Sequence, residues 1–206
     1  MITVDSILIT GPPAAGKSMI REFLSREAKL RPAGALDIGV DDILREMAYS
    51  GEIAKEETCA DPNGALILKE PGRHVPVALR RLFDRWSSMP AGAIVEAPLD
   101  RVFLSSLVDS GELANRTAVI VLDAPLRVRL ERNAARTYGR ISELGLKRMD
   151  AALSPQVLHG LRVVVPVLEI IDTTAELKDL ARKCARILGL TAVGDEAGAI
   201  GDLRAK

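Results

Sequence analysis

A pair of glycines, the second followed at once by a lysine and a serine, constrains this chain more than any other feature. The stretch is Gly11-Pro12-Pro13-Ala14-Ala15-Gly16-Lys17-Ser18, and the apolar run Ile7-Leu8-Ile9 leads straight into it. The pattern G-x-x-x-x-G-K-[ST] is a phosphate-binding loop when a strand precedes it and a helix follows. Ile7 to Thr10 reads as a short buried strand. Ile20, Phe23, Leu24 and Ala28 recur at helical spacing, on a helix running from about Gly16 to Leu30. Gly11 and Gly16 let the backbone turn tightly and approach a phosphate with no Cβ in the way. The amides of Ala15, Gly16, Lys17 and Ser18, with Met19 next along the helix, are expected to form a nest for an anion. Pro12 and Pro13 have no N–H, so they shape the loop without donating to phosphate. Lys17 is expected to reach the β- and γ-phosphates of ATP, and the Ser18 hydroxyl to sit on Mg²⁺.

The bulk composition narrows the partners. The chain has 206 residues, 28 basic and 28 acidic, so no electrostatic case exists for nucleic acid or an anionic membrane. With 3% aromatic residues, base-stacking platforms are not expected either. Cys59 and Cys184 match no metal spacing, and Cys184 falls on an apolar helical face as a reduced core thiol. No signal segment or membrane span is read, which points to the cytoplasm. A single domain is expected over residues 1–190, with a flexible tail over 191–206.

Further along, Ala35 to Val40 reads as a second strand leading into Asp41 and Asp42. A carboxylate at the C-terminal end of such a strand lies where open α/β sheets place ligand chemistry, although helix capping is the other use for two adjacent aspartates. Residues 50–72 lack periodicity and carry turn signals at Asp61-Pro62-Asn63-Gly64 and Pro71-Gly72. Within the region 50–85, read as a substrate-binding insertion, Leu79, Leu82, Phe83 and Trp86 share one helical face. Arg80, Arg81 and Arg85 lie on other faces, as a solvated surface, with Arg80 the candidate for substrate. His74 reads as a surface or loop hydrogen-bonding group. Ala93-Ile94-Val95-Glu96 is a third strand ending in an acid, the Walker B pattern, in which Glu96 holds Mg²⁺ directly or through water. Leu99 to Val108 reads as a helix and Ala118 to Leu122 as a fourth strand. Leu126 to Arg136 is a helix that carries Arg129, Arg132 and Arg136 on one face, with Glu131 and Glu143 as possible structural partners. The break at Tyr138-Gly139-Arg140 suits a mobile flap, so a lid is expected over about 132–145. A helix over about Ile141 to Leu153 is followed by strand-like Val163 to Val165 and Val167 to Ile171. Asp172-Thr173-Thr174 then caps a last helix reaching about Leu188.

A phosphate loop, Asp41 after strand two, Glu96 after strand three and an arginine pair before a Gly-Arg break together resemble the nucleotide-kinase-like branch of P-loop phosphotransferases. Within it, the phosphate loop, Ile38-Gly39-Val40-Asp41, the stretch from Asp61 through Pro71-Gly72 and Asp172-Thr173-Thr174 are similar to the chloramphenicol phosphotransferase-like proteins, an AAA-type ATP-binding kinase group. One departure is Glu96-Ala97-Pro98, where the chloramphenicol enzymes carry acidic pairs. The resemblance implies an α/β three-layer sandwich around a five-stranded parallel sheet in the order 2-3-1-4-5. It also implies roles: Asp41 accepts the proton of a substrate hydroxyl, Arg132 packs on adenine, Arg136 contacts phosphates, and the loop after Asp172, with Thr173, borders the base. Asp41 also stands beside Ser18 and Glu96 as a candidate metal group, and Asp42, Arg80, Glu96 and Arg140 are candidate substrate contacts. The activity implied is Mg-ATP-dependent phosphorylation of a hydroxyl on an antibiotic, sugar or other metabolite. The alternatives are a nucleoside or nucleotide kinase and a non-catalytic nucleotide-binding regulator. The helices Leu79–Trp86 and Leu99–Val108 offer a surface for a homodimer.

Overall fold

The computed structural model describes residues 4–26, 36–60, 66–90, 92–135, 141–149, 155–174 and 179–180. Its strands, numbered along the chain, are β1 (Ser6–Thr10), β2 (Leu36–Gly39), β3 (Thr58–Ala60), β4 (Leu66–Leu68), β5 (Ala93–Glu96), β6 (Thr117–Asp123) and β7 (Val167–Asp172). The helices are α1 (Lys17–Arg26), α2 (Val40–Tyr49), α3 (Pro71–Ser87), α4 (Arg101–Asp109), α5 (Glu112–Asn115), α6 (Leu126–Ala135), α7 (Glu143–Met149) and α8 (Pro155–Val164). Five strands form one parallel sheet in the order β2-β5-β1-β6-β7. Counted within that sheet alone, this is the expected order 2-3-1-4-5. The register sets Gly39 beside Glu96 and Glu96 beside Ile9, so β2, β5 and β1 end at one level.

Side chains alternate across the pleat and build two cores. Ile7 and Ile9, with Ile94, Ile120 and Leu122, pack against Ile20 and Leu24 of α1. Leu8, Ile38, Val95, Val119 and Val121 face the other way, into the larger core formed with α2, α3, α4 and α8. Helices thus cover both faces, as a parallel sheet requires. The apolar faces of α3 and α4 are occupied in this larger core. Leu79, Leu82 and Trp86 are buried there with Phe103, Leu104 and Leu107, and the Trp86 and Phe103 rings stack at 6.2 Å.

The structure corrects several element boundaries. Val40 begins α2 rather than ending β2, because the Asp42 carboxylate accepts the Gly39 amide at 2.7 Å and starts the helix there. The irregular stretch after residue 50 holds a 3₁₀ turn, Lys55–Glu57, and the antiparallel pair β3–β4, whose three-residue strands are too short to show a period. Pro71 marks no turn: it takes the first position of α3, where its missing N–H costs nothing. Pro155 likewise opens α8, and Val163 and Val164 close that helix instead of forming a strand. The ends of the first helix (27–30), the 141–153 helix (150–153) and the last helix (181–188), together with Cys184 and the tail 191–206, lie outside the described residues. So do the side chain of Cys59 and the turn at 61–65.

Trp86 is 0% exposed and is the chain's single tryptophan. Trp86→Ala is expected to cost about 3–5 kcal/mol, from lost burial plus the cavity left behind. Urea unfolding followed by circular dichroism measures it, since the usual fluorescence probe is itself removed.

Candidate active site

The phosphate loop occupies the corner between β1 and α1. Gly11 has φ +150°, and a Cβ there would lie 2.4 Å from the Leu122 carbonyl oxygen, so the close approach of the loop to β6 requires glycine. Ala14, at φ +62°, turns the chain back, and the Ala15 amide donates to the Pro12 carbonyl at 3.3 Å. In this ligand-free loop the Ala15 amide, expected to line the anion nest, closes a turn. The first helical bond of α1 runs from the Ile20 amide to the Gly16 carbonyl. Helix geometry leaves the Ser18 and Met19 amides ahead of it available to an anion. The Lys17 ammonium donates to the Gly11 and Pro12 carbonyls, both at 3.0 Å, which folds the lysine over its own loop.

The acids meet beside this corner. The Ser18 hydroxyl donates to Glu96 Oε1 at 2.9 Å, bringing together the two groups expected to face Mg²⁺. The Glu96 side chain is 12% exposed. Burial raises its carboxyl above the usual range. The Lys17 charge and the Ser18 hydroxyl oppose this, and the negative charge of Asp41 adds to it. Asp41 is thus an electrostatic neighbour of Glu96, and it is exposed in the first turn of α2. Asp42 faces a different set of partners. Besides capping Gly39, it pairs with Arg21 Nη2 at 2.7 Å and Arg45 Nη1 at 2.8 Å. Burial works to raise its pKa, but the Gly39 amide and then Arg21 and Arg45 outweigh it, and the carboxyl sits below the ordinary aspartate range. Of the two aspartates, Asp42 is the cap and Asp41 the one that remains exposed.

Sequence reasoning missed Arg21, Asp37 and the role of Gly39. Arg21 Nε pairs with Asp37 Oδ1 at 2.6 Å, and Nη1 faces Glu96 Oε2 at 3.7 Å. The available signal was that Arg21 follows Ser18 by three positions and so shares its helix face. A cavity of about 270 Å³ opens here, lined by Ser18, Arg21, Glu22, Ser25, Asp37 and Glu96.

On the opposite flank of the loop, Arg132 donates through Nη1 to Ala15 O at 3.3 Å and to Thr173 Oγ1 at 3.0 Å, and through Nη2 to the Thr173 carbonyl. Thr173 is fully buried and its amide donates to the Asp123 carbonyl at 2.7 Å, while Asp172 accepts the Thr174 amide at 2.8 Å. The structure therefore brings Arg132, Thr173 and the phosphate loop together. Arg129 does not join an exposed arginine face. It is fully buried, and its Nε donates to the Ala124 carbonyl at 2.9 Å. Glu131 pairs with Arg127 and Glu143 with Lys147. The Asn133 amide makes two bonds to the Ile141 backbone, at 2.8 and 2.9 Å. Arg136 and Arg140 lie outside the described residues.

Arg80 is exposed on α3, and among the described residues no hydrogen bond or ion pair joins it to the groups at the loop. Paired bonds tie Arg85 to Glu46, bracing α3 against α2, and Arg81 to Glu52 in the turn that follows α2. His74 is buried rather than at the surface, with Nε2 at 3.4 Å from Glu57 Oε2.

Among the described residues no cluster of three or more His, Cys, Asp or Glu side chains could hold a metal by itself. Ser18 and Glu96 nevertheless fit a hard divalent cation, because both offer oxygen and Mg²⁺ keeps water and phosphate oxygens for its other positions. No described helix is long and apolar enough to cross a membrane.

The parallel sheet, the loop at the end of β1 and the acid at the end of β5 define a protein of the α/β P-loop class. The chain belongs to the AAA domain family, whose model matches residues 7–146. No curated protein is matched by the sequence. Among solved structures, a gluconokinase from Sinorhizobium meliloti is similar at 17% identity and TM-score 0.61, covering 92% of this chain and 94% of that one. A sugar kinase from Janibacter sp. matches at 15% identity and TM-score 0.59, over 91% and 96% of the two chains. Shikimate kinase from Acinetobacter baumannii, solved with shikimate, matches at 18% identity and TM-score 0.53, over 93% and 97%. At these identities the likeness is one of fold.

Because Asp42 titrates below its unfolded value, it contributes stability that is present above the ordinary aspartate range and lost as the pH falls through its folded pKa. Asp42→Asn is expected to lower the melting temperature at neutral pH and to shrink its further fall on acidification. Melting temperatures of both proteins from pH 7 down to pH 3 check this.

Proposed function

We propose that the protein is an ATP-dependent phosphotransferase that moves the γ-phosphate to a hydroxyl of a small molecule such as an antibiotic, a sugar or another metabolite. The observation that carries this reading is the 2.9 Å bond from Ser18 to Glu96, with the exposed Asp41 as electrostatic neighbour, at the sheet edge where the phosphate loop begins. An exposed carboxylate beside the metal groups supplies the proton acceptor that transfer to a hydroxyl calls for, a role that nucleotide binding alone does not require. The gluconokinase, sugar kinase and shikimate kinase that share the fold support the reading, as kinases of small molecules.

Phosphoryl transfer needs positioning and charge neutralisation more than covalent chemistry. The loop amides and Lys17 would hold the β- and γ-phosphates once Lys17 leaves the Gly11 and Pro12 carbonyls. Ser18 directly, and Glu96 directly or through water, would hold Mg²⁺, which when bound neutralises charge on the phosphates. Asp41 would take the proton of the acceptor hydroxyl as that oxygen attacks. Arg132, held between Thr173 and Ala15, would flank the base, and Arg136 would contact the phosphates.

ADP release from Mg-ATP against a panel of antibiotics, sugars, nucleosides and amino-acid derivatives tests this. A hydroxylated compound is expected to raise release well above ATP alone. With that compound, Lys17→Ala is expected to lower turnover by roughly 10²–10³-fold, the scale for removing one preorganised donor. Asp41→Asn is expected to keep ATP affinity but lose roughly 10²–10⁴-fold in transfer, the scale of general base catalysis. Transfer by Asp41→Asn at the wild-type rate would remove the base assignment.

A further inference from the structure

We infer that Arg21 is a positioning residue that orients the metal-facing carboxylate of Glu96, an inference that rests on the Mg-ATP reading above. The two oxygens of Glu96 have different partners. Oε1 accepts the Ser18 hydroxyl at 2.9 Å, while Oε2 faces Arg21 Nη1 at 3.7 Å. The guanidinium is not at liberty to turn. Its Nε is fixed by Asp37 Oδ1 at 2.6 Å and its Nη2 by Asp42 Oδ2 at 2.7 Å. A planar fork held at two corners aims its third corner, and here that corner points at Glu96.

The chain keeps room for this arrangement. A Cβ built on Gly39 would lie 2.5 Å from Arg21 Nη1 and 3.4 Å from Glu96 Cβ, so the bare backbone at the end of β2 is what lets the guanidinium reach across to β5. The half-buried site, with Arg21 19% and Glu96 12% exposed at the side chain, weakens the screening that makes surface pairs negligible. Arg21 also joins three elements: it sits on the helix that follows the phosphate loop, and it holds the edge strand through Asp37 and the first turn of α2 through Asp42, the residue next to Asp41. Lysine cannot substitute for it, since a single ammonium lacks the fixed fork that meets three carboxylates at once.

The test uses the full chain, ATP and Mn²⁺ as the probe metal. Free Mn²⁺ is followed by electron paramagnetic resonance in the presence of ATP, and ATP affinity is measured separately in EDTA. Arg21→Gln is expected to weaken Mn²⁺ binding about tenfold, the low end for losing a group that orients a metal ligand. Its ATP affinity in EDTA is expected to stay within about threefold of wild type. Arg21→Lys is expected to move in the same direction, and it decides the matter if Arg21→Gln does not fold by circular dichroism. In the double variant Arg21→Gln with Glu96→Gln, Mn²⁺ binding is expected to be no weaker than in Glu96→Gln alone, because Arg21 acts through Glu96.

Wild-type Mn²⁺ affinity in folded Arg21 variants would overturn the inference. So would an equal loss of ATP affinity in EDTA, or two single effects that multiply in the double variant. A wild-type chain that binds ATP in neither condition would overturn the functional reading and this inference with it, whereas failure of the variants alone leaves that reading standing.

Discussion

The parallel ladder of β2, β5 and β1 is the constraint from which the rest follows. Its register puts Gly39, Glu96 and Ile9 in one row, so the residues that come next emerge together at one edge of the sheet. From β1 the chain passes into the phosphate loop, from β2 into the helix that carries Asp41, and from β5 into the bend after Glu96. A slip of one residue in either pairing would turn Glu96 to the opposite face and part it from Ser18. The close packing of Leu8, Ile38 and Val95 into one core and of Ile7, Ile9 and Ile94 into the other holds that register. Chemistry that depends on contacts across the chain is thereby secured by apolar packing beneath it.

The grouping of charge at that edge is economical. Arg21 is the shared counter-ion of Asp37, Asp42 and Glu96, and without it three carboxylates would repel one another in a partly buried space. Burial alone disfavours the guanidinium charge, and Asp37 and Asp42 more than offset it. Asp41 stands apart from this network: it makes no ion pair with Arg21, yet its charge is felt at Glu96. The arrangement separates carboxylates that hold the frame from one exposed to solvent.

Much of this was legible in the residues. Local signals found the phosphate loop, the acid closing β5 and the five strands of the main sheet, because each is written within a dozen consecutive positions. Elements failed where local signals conflicted with context. The β-branched run Val163-Val164-Val165 suggested a strand, but tertiary packing of Leu161 holds most of it in α8. Proline at 71 and 155 read as punctuation, whereas each starts a helix. Arg21 went unread for another reason. Its partners are contributed by two strands and the first turn of α2, and no local pattern records which carboxylates a helix will face. The same holds for Gly39, whose missing side chain matters only because a guanidinium from α1 passes over it. Arg80, the candidate for substrate, is exposed on α3.

The paired bonds from Asn133 to Ile141 join the end of α6 to the approach to α7, and so staple the two ends of the intervening segment 136–140 to each other. Once a loop is stapled at its base, the entropy of closing it grows only with the logarithm of its length. A change in the number of residues between the two ends therefore adds little closing entropy for α6 and α7 to bear.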